Sequence, residues 1–358
     1  MVDDVHTAAP DAGRADASSS SATHSAPEQL PWREALAPYT QPDLRRSMLD
    51  IATSVVPYVV LWVLMYLALA RWGSYPLALM LSIPAAGFLV RSYIVFHDCA
   101  HGSFLRSKRA NALLGTSMGL LVFETFACWR HAHAVHHATA GDLGRRGVGD
   151  LPTLTVAEYQ ARSKRGQLLY RLFRHPAVMF GIGPIFALVV QPRIVPRTAR
   201  PRIKRRVLAT DAALVALVTG LCLLIGWRDY LLIQTPIVML AGAAGIWLFY
   251  VQHQFDDVYW ERGEQWSFVD AALHGSAYLK LPKVLQFFSG NIGLHHVHHL
   301  SARVPNYNLQ RAHDELPMFH NVPTLSLADG LRTVRLKLYD EDRRRMVTFA
   351  EALERPKL

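Results

Sequence analysis

Four stretches of the chain are apolar enough and long enough to cross a bilayer, which takes roughly 20 apolar residues in a helix. They lie at residues 51–70, 75–96, 207–227 and 230–251. Only the short connectors RWGS and RD separate the two members of each pair. The pattern therefore predicts an all-α polytopic membrane protein with four transmembrane helices in two hairpins.

Two further apolar stretches, at residues 113–128 and 176–190, are too short and too interrupted for an ordinary span. The first contains two glycines and Glu124, and the second contains two glycines and Pro184. We expect both to lie in the membrane interface, or to dip into the bilayer and return on the same side.

The polar ends of the chain frame this apolar region. Residues 1–30 are rich in Ala, Ser, Asp and Pro and have no apolar segment typical of a secretory signal, so they are predicted to be a disordered tail. Residues 31–316 are expected to form the membrane domain, and residues 317–358 a cytoplasmic C-terminal tail.

Charge predicts the orientation in the membrane. The net charge is +10, and residues 97–206 contain eighteen Lys or Arg, whereas each hairpin connector contains one Arg. The positive-inside rule then places both hairpin tips outside, and both termini with the remaining loops in the cytoplasm. Because the basic residues flank apolar spans and no nucleic-acid-binding fold is visible, we expect no nucleic-acid partner.

Three histidine clusters lie beside the ends of the predicted spans, in the stretches HDCAH, HAHAVHH and GLHHVHH. Within each cluster, histidines spaced i, i+3 and i+4 fall on one face of a helix. His131 and His296 point away from these faces and are predicted not to be ligands. The eight histidines that share the faces are His97, His101, His133, His136, His137, His295, His298 and His299.

Eight imidazoles exceed what one ion needs, so two metals with about four histidines each are expected. The three clusters can share one site only if residues 113–128 and 176–190 do not cross the membrane. Such a site at the cytoplasmic helix ends is placed to meet a lipid-borne group. The C–H bonds of acyl chains are unactivated, and breaking them requires a metal that activates oxygen, so iron is favoured over redox-inert zinc.

The motifs HDCAH, HAVHH and HHVHH resemble the three histidine boxes of the membrane-bound fatty acid desaturase family. Flanking segments such as HDCAHGSF and GNIGLHHVHHLSARVPNYNL are similar to bacterial acyl-lipid desaturases. The resemblance covers roughly residues 47–316. It implies a cytoplasmic helical cap with a histidine-bound di-iron centre that uses O2 and two electrons to introduce a cis double bond into an acyl chain.

The resemblance also implies the ligands and partners. Members of the family use a further histidine between the second and third boxes, and His253 is the best match, which makes nine ligands with the eight above. The implied substrate is an acyl lipid or an acyl thioester in a bacterial inner membrane. Because the sequence has no flavin, haem or Fe–S motif, the electrons are expected from a ferredoxin-like or flavoprotein donor.

Other interpretations remain open at this point. A lipid hydroxylase, carotenoid ketolase or alkane monooxygenase would use the same boxes, and a metal transporter is a candidate of another class. Asp98 fits either an orienting partner of a ligand or a solvated carboxylate. Trp129 and Trp260 fit either an acyl tunnel or interfacial anchors. The histidines outside the boxes are expected to be structural, and they are His175, His274, His313 and His320.

Overall fold

The computed structural model describes residues 31–195 and 200–354, so the predicted tail at residues 1–30 lies outside the described residues. The described chain is mostly helical. Its α-helices are α1 (Pro31–Leu36), α2 (Leu44–Trp72), α3 (Tyr75–His101), α4 (Lys108–Leu121), α5 (Phe126–Thr139), α6 (Val156–Ala161), α7 (Lys164–Phe173), α8 (Gly183–Ile185), α9 (Pro201–Ile225), α10 (Trp227–His253), α11 (Phe268–His274), α12 (Lys283–Phe288), α13 (His295–Leu300), α14 (Asn306–Glu315), α15 (Leu327–Arg332) and α16 (Phe349–Leu353).

The remaining regular elements are short. Two π-helical segments, Val178–Ile182 and Phe186–Val190, flank α8. The 3-10 turns are Ala37–Thr40, Gln191–Arg193, Gly263–Gln265, Pro317–Phe319 and Thr333–Arg335. The strands are β1 (Leu154–Thr155), β2 (Tyr278–Lys280), β3 (Thr324–Ser326), β4 (Leu338–Asp340) and β5 (Arg345–Val347).

The helices α2, α3, α9 and α10 are each long and apolar enough to cross a membrane, which confirms the predicted all-α membrane fold with four candidate spanning helices. α3 and α10 continue past the predicted apolar stretches to His101 and His253. Each residue of a helix has a fixed rotation about the axis and a fixed rise along it, so these last turns hold their histidines at defined positions beside the membrane core.

The four long helices bury their faces unequally. α3 packs between α2 and α10 around a core that includes Met65, Phe96 and Ile237. α9 lies at the periphery, where Leu223 and Leu224 are 84% and 78% exposed. Large apolar side chains exposed to this degree are stable when lipid covers them, as expected for a helix on the outside of a membrane bundle.

Both hairpin turns are made at glycines. Gly73 ends α2 in the left-handed conformation, with its N–H bonded to the carbonyls of Ala68 and Leu69. Between α9 and α10 the turn is at Gly226, which has φ +88°. The predicted RD connector is therefore wrong, because Arg228 and Asp229 lie in the first turn of α10. Glycine permits the positive φ, and a carboxylate is favourable at a helix N-terminus.

The apolar stretch at residues 113–128 forms a bent pair of helices. α4 and α5 meet at an angle of 104°, and Phe123 in the bend has φ +62°. The two helices pack closely, because a Cβ on Gly115 would come within 2.1 Å of the Phe126 ring. The bend lets the chain leave the end of α3 and return to it.

The stretch at residues 176–190 follows a bend in the chain. The axis of the segment Val178–Arg193 makes an angle of 54° with α7. This segment packs on α10, where a Cβ on Gly242 would come within 2.7 Å of Pro184. The segment therefore lies alongside a membrane helix, at an angle to the helix that precedes it.

Small sheets join the C-terminal residues to the rest of the fold. β4 pairs with β1 in parallel and with β5 antiparallel, and β3 pairs with β2 in parallel. Residues 317–354 belong to the predicted C-terminal tail, but they pack against the preceding part of the chain. Their strands are too short for the alternating pattern that would have predicted them.

Candidate metal centre

Nine buried or half-buried histidines form two clusters in which the candidate ligand atoms of each cluster lie within 4.8 Å of one another. The five-histidine cluster contains His97, His101, His133, His137 and His298. The four-histidine cluster contains His136, His253, His295 and His299. The structure therefore brings together every histidine that the sequence and the resemblance assign to the site.

Helical spacing explains how the side chains are shared. On α5, His133 and His137 are four residues apart and enter the five-histidine cluster, whereas His136 turns toward the other. On α13, His298 joins the five-histidine cluster, and its neighbours His295 and His299 join the four-histidine cluster. Two short helices therefore contribute to both clusters and place them side by side.

The bent pair of α4 and α5 connects two parts of this site. α3 ends in the five-histidine cluster, and the chain re-enters it through α5 after the bend. α10 likewise ends in the four-histidine cluster at His253. All the ligand-bearing helix ends therefore lie on one side of the bundle.

The ring nitrogens converge at distances that suit metal ligands. The Nε2 atom of His253 lies 2.9 Å from that of His295 and 3.2 Å from that of His136. In the other cluster, the Nε2 atoms of His97 and His298 are 3.1 Å apart. Metal–imidazole bonds are about 2 Å long, so two ligands at right angles on one ion have nitrogens about 3 Å apart.

Burial keeps the imidazoles in the form that binds metal. The pKa values of His295, His298 and His299 are lowered well below the ordinary histidine value, first by burial and then by neighbouring histidines. Neutral imidazole has a free nitrogen lone pair, whereas imidazolium has none. The clusters therefore fit bound metal ions, which would replace the missing protons as the positive partners of these nitrogens.

Each cluster has one histidine oriented by a carboxylate. The Nδ1 atom of His97 lies 3.0 Å from Asp98 Oδ1, and Nδ1 of His136 lies 2.5 Å from Asp150 Oδ1. In both cases the hydrogen bond at Nδ1 leaves Nε2 facing the cluster. A carboxylate behind a metal-binding histidine fixes its tautomer and ring orientation and increases its basicity.

Asp98 and Asp150 are held in different ways. Asp98 Oδ2 accepts hydrogen bonds from the backbone and the side-chain amide of Asn306, at 2.7 and 3.0 Å. Asp150 lies in the glycine-rich loop after α5, where Gly147 N donates to its second carboxylate oxygen at 2.9 Å. Of the two interpretations of Asp98, the orienting partner agrees with these contacts. Asp150 was missed, because a loop has no periodicity that marks a functional face.

Known proteins match the chain over most of its length. The family model "Fatty acid desaturase" matches residues 70–324. A fatty acid desaturase of Bacillus subtilis is 45% identical over 88% of this chain and 89% of its own length. This chain belongs to the fatty acid desaturase family. It is therefore an oxidoreductase, and the predicted resemblance is confirmed.

More distant relatives of this desaturase carry more specific names. The "sn-1 acyl-lipid omega-3 desaturase (ferredoxin)" of Synechocystis is 28% identical over 68% of this chain and 67% of its own length. The "sn-1 oleoyl-lipid 12-desaturase" of the same organism is 25% identical over 64% and 65%.

A cavity of about 200 Å³ opens beside the four-histidine cluster of the desaturase. His136 and His253 contribute to its wall, together with Phe249, Asp150 and Trp260. No residue of the five-histidine cluster lines it. The cavity thus gives small molecules access to one of the two clusters.

The tryptophans lie nearer to the clusters than interfacial anchors would. Trp129 stacks on the ring of His133, with a centroid distance of 4.3 Å, and packs edge-on against His97 at 5.7 Å. Trp260 lines the cavity. Both indoles therefore shape the immediate surroundings of the histidines.

The other histidines lie outside the two clusters. His131 is exposed on α5. His296 is buried and contacts His313, with Nε2 and Nδ1 3.0 Å apart. His320 contacts the carbonyl of Asp314. These positions agree with the helical-face argument, which separated His131 and His296 from their neighbours.

Proposed function

We propose that this desaturase introduces a cis double bond into an acyl chain of a membrane lipid, using O2 and two iron ions. The observation that carries the proposal is the convergence of nine histidines into two adjacent clusters at the ends of membrane helices. A site at this position is within reach of a lipid-borne chain, and imidazole side chains face its centre.

The proposed ligands are the members of the two clusters, five histidines for one iron and four for the other. An iron pair, when bound, supplies the oxygen chemistry that removes hydrogen from an unactivated C–H bond, which zinc cannot do. The protein's part is to hold the imidazoles in place and to orient them. Asp98 and Asp150 each accept a hydrogen bond from Nδ1 of a proposed ligand, and burial limits the access of water.

The overall reaction determines how many electrons and protons must be supplied. One CH2–CH2 unit loses two hydrogens, O2 is reduced to two waters, and two electrons and two protons are consumed. The chain has no flavin, haem or Fe–S motif, so we propose that a separate ferredoxin-like or flavoprotein donor supplies the electrons. The name of the Synechocystis omega-3 relative, which includes ferredoxin, supports this donor class.

The proposed substrate is an acyl chain of a glycerolipid in a bacterial inner membrane, with an acyl thioester as the alternative carrier. The sn-1 acyl-lipid relatives support the lipid. The clusters and both termini are proposed to face the cytoplasm, because the basic segments lie on that side of the predicted spans. Reporter fusions at Ser74 and Asp229 should then read outside, and a fusion at Gly141 inside.

The test is expression in a bacterial host that lacks polyunsaturated lipids, with mass spectrometry of lipid double-bond positions. His295→Ala should abolish the product, whereas the neighbouring His296→Ala should retain it together with the bound iron. Hydroxylated lipid without a new double bond would instead indicate a hydroxylase. Metal flux without lipid modification would indicate a transporter.

A further inference from the structure

We propose that an acidic electron-transfer protein docks where the N-terminal ends of α2 and α4 meet the loop after α3, beside the five-histidine cluster. We call this surface the donor face. The proposal rests on the proposed function, since that reaction is what requires electrons from outside. The donor face is defined by six exposed cations, which are Arg45, Arg46, Arg106, Lys108, Arg109 and Arg303.

Direct contacts join the elements that carry these cations. Ser47 in the second turn of α2 donates to the carbonyl oxygen of Phe104 at 2.7 Å, and its hydroxyl lies 3.2 Å from that of Tyr307 in α14. Arg46 Nη1 donates to Asn308 Oδ1 at 3.0 Å. The start of α2, the loop after α3 and the start of α14 are therefore one continuous surface.

The positive charge of the donor face is not neutralised by ion pairs within the described part of the chain. Among residues 31–195 and 200–354, none of the six cations has a carboxylate within 4.0 Å. Asp43, an exposed carboxylate nearby, caps α2 by accepting from Arg46 N. The surface therefore presents an excess of positive charge to the solvent.

The surface around the cavity is different, because its cations are paired. Arg262 forms an ion pair with Glu341 at 2.7 Å, and Arg145 with Asp142 at 2.5 Å. Arg146 pairs with Glu158, and Arg344 with Glu261. Asp256, Asp257 and Glu264 add negative charge to the same loops. An acidic protein would be attracted to the donor face and not to the cavity mouth.

Local stability does not account for the cations of the donor face. Arg45 and Arg46 lie in the first turn of α2, and Lys108 and Arg109 in the first turn of α4, and neither turn contains an acidic residue. Positive charge at a helix N-terminus opposes the helix dipole and destabilises the helix. The donor face is distinguished by having four such charges on two adjoining helix starts, so that they act together on a negatively charged partner.

The donor face adjoins the cluster that is less completely buried. His101 and His137 of the five-histidine cluster are partly exposed, whereas all members of the four-histidine cluster are buried. The loop that carries Arg106 starts directly after His101, and five residues of chain span at most about 18 Å. Anionic lipid headgroups would also attract these cations, but lipid binding gives no reason for a partly exposed ligand beside them.

The sequence offers a matched control for the test. α4 begins with Lys108-Arg109 and α7 with Lys164-Arg165. The serine before each pair caps its helix by accepting a hydrogen bond from the backbone N–H three residues on. Both Lys-Arg pairs are exposed. The variants K108E/R109E and K164E/R165E therefore make the same change of charge in the same helical context, on different surfaces.

The experiment measures turnover of the full-length iron-loaded protein in nanodiscs with reduced plant-type [2Fe–2S] ferredoxin at several concentrations and ionic strengths. K108E/R109E should raise the apparent KM for ferredoxin at least about tenfold at low salt and weaken the salt dependence, because steering changes association rates by 10-fold or more. K164E/R165E should behave like the parent. The parent and both double variants should have the same iron content and the same turnover with a small chemically reduced mediator.

Several outcomes would overturn the proposal. One is an unchanged KM for ferredoxin in K108E/R109E, and another is an equal rise in both variants. A response of K108E/R109E to the fraction of anionic lipid in the nanodiscs, without a change in this KM, would assign the face to lipid. If K108E/R109E loses iron, the neutral variant R106Q/R303Q is measured in the same way, and an unchanged KM there is decisive against docking. Absence of unsaturated product from the parent with every reductant would instead refute the proposed function.

Discussion

The carboxylate of Asp150 accepts a hydrogen bond from Nδ1 of His136 at 2.5 Å, and the Nε2 atom on the other side of that ring faces His253 at 3.2 Å. One loop residue therefore sets the direction of a ligand in the four-histidine cluster. Burial opposes ionisation of Asp150, but its hydrogen bonds with His136 and with the backbone N–H of Gly147 favour the carboxylate, and the pKa of Asp150 is lowered overall.

Replacing Asp150 should weaken metal binding at the four-histidine cluster alone. We expect Asp150→Ala to reduce iron affinity there by about 10- to 100-fold, the usual effect of removing such a partner. The iron affinity of Asp150→Asn should lie between those of Asp150→Ala and the parent, because its amide oxygen can still accept a hydrogen bond from Nδ1 of His136. Iron per chain, measured during titration with a chelator, should show one site released early. Simultaneous release of both irons would contradict this assignment.

His253 should be a ligand of the same cluster. His253→Ala is expected to lose about half of the bound iron and all of the activity, because the four-histidine cluster would keep only three imidazoles to bind its iron. His274→Ala is the control, because His274 is in neither cluster. Parent levels of iron and product in His253→Ala would show that it is not a ligand, and losses in both variants would indicate misfolding.

Gly149 should be required for the position of the Asp150 loop. It has φ +78°, and a Cβ there would lie 2.4 Å from the carbonyl oxygen of Ala132. Gly149→Ala should therefore destabilise the protein by at least about 1 kcal/mol from backbone strain alone, and more from the clash. Gly73 has φ +57° with no atom within 4 Å of its Cβ position, so Gly73→Ala measures the strain of a left-handed backbone without a clash. Equal thermal shifts in both variants would rule out the clash.

Local periodicity accounts for what the sequence could predict. The i, i+3, i+4 spacing marks one face of α5 and one of α13, and it correctly separates His296 from His295 because that angle depends on a single helix. How the nine histidines divide into five and four depends on how α3, α5, α10 and α13 cross one another, which periodicity does not specify. The expectation of about four histidines for each metal agrees with clusters of five and four, but periodicity could not say which histidines share a cluster.

Glycine chemistry accounts for part of the remainder. Gly226 could have indicated the second hairpin turn, because glycine permits a positive φ. Hydropathy alone placed the turn at Arg228 and Asp229 instead. Asp150 had no comparable signal, because its role depends on where the loop returns to α5. The strands after residue 316 have three residues each, and the pairing of β3 with β2 and of β4 with β1 depends on contacts distant in sequence.

Lys337 is predicted to make the stability of the protein depend on pH. Its ammonium group is buried, and its Nζ atom has no hydrogen-bond partner among the described residues. It lies 5.3 Å from the centre of the Tyr250 ring, close to the buried Arg174. Burial, with the charge of Arg174 as a second cause, lowers the pKa of Lys337 from 10.5 to about 7.

The direction of the effect follows from that shift. The unfolded chain takes up a proton on this lysine as pH falls below about 10.5, whereas the folded chain does so only near pH 7, so stability decreases between these values and then levels off. Lys337→Met should therefore raise the thermal unfolding midpoint at pH 7 and have a smaller effect at pH 9.5. Lys337→Arg, which stays charged, should lower the midpoint at both values. Differential scanning fluorimetry in detergent measures all three, and an advantage of Lys337→Met that is the same at both pH values would show that the lysine is protonated in the folded protein throughout.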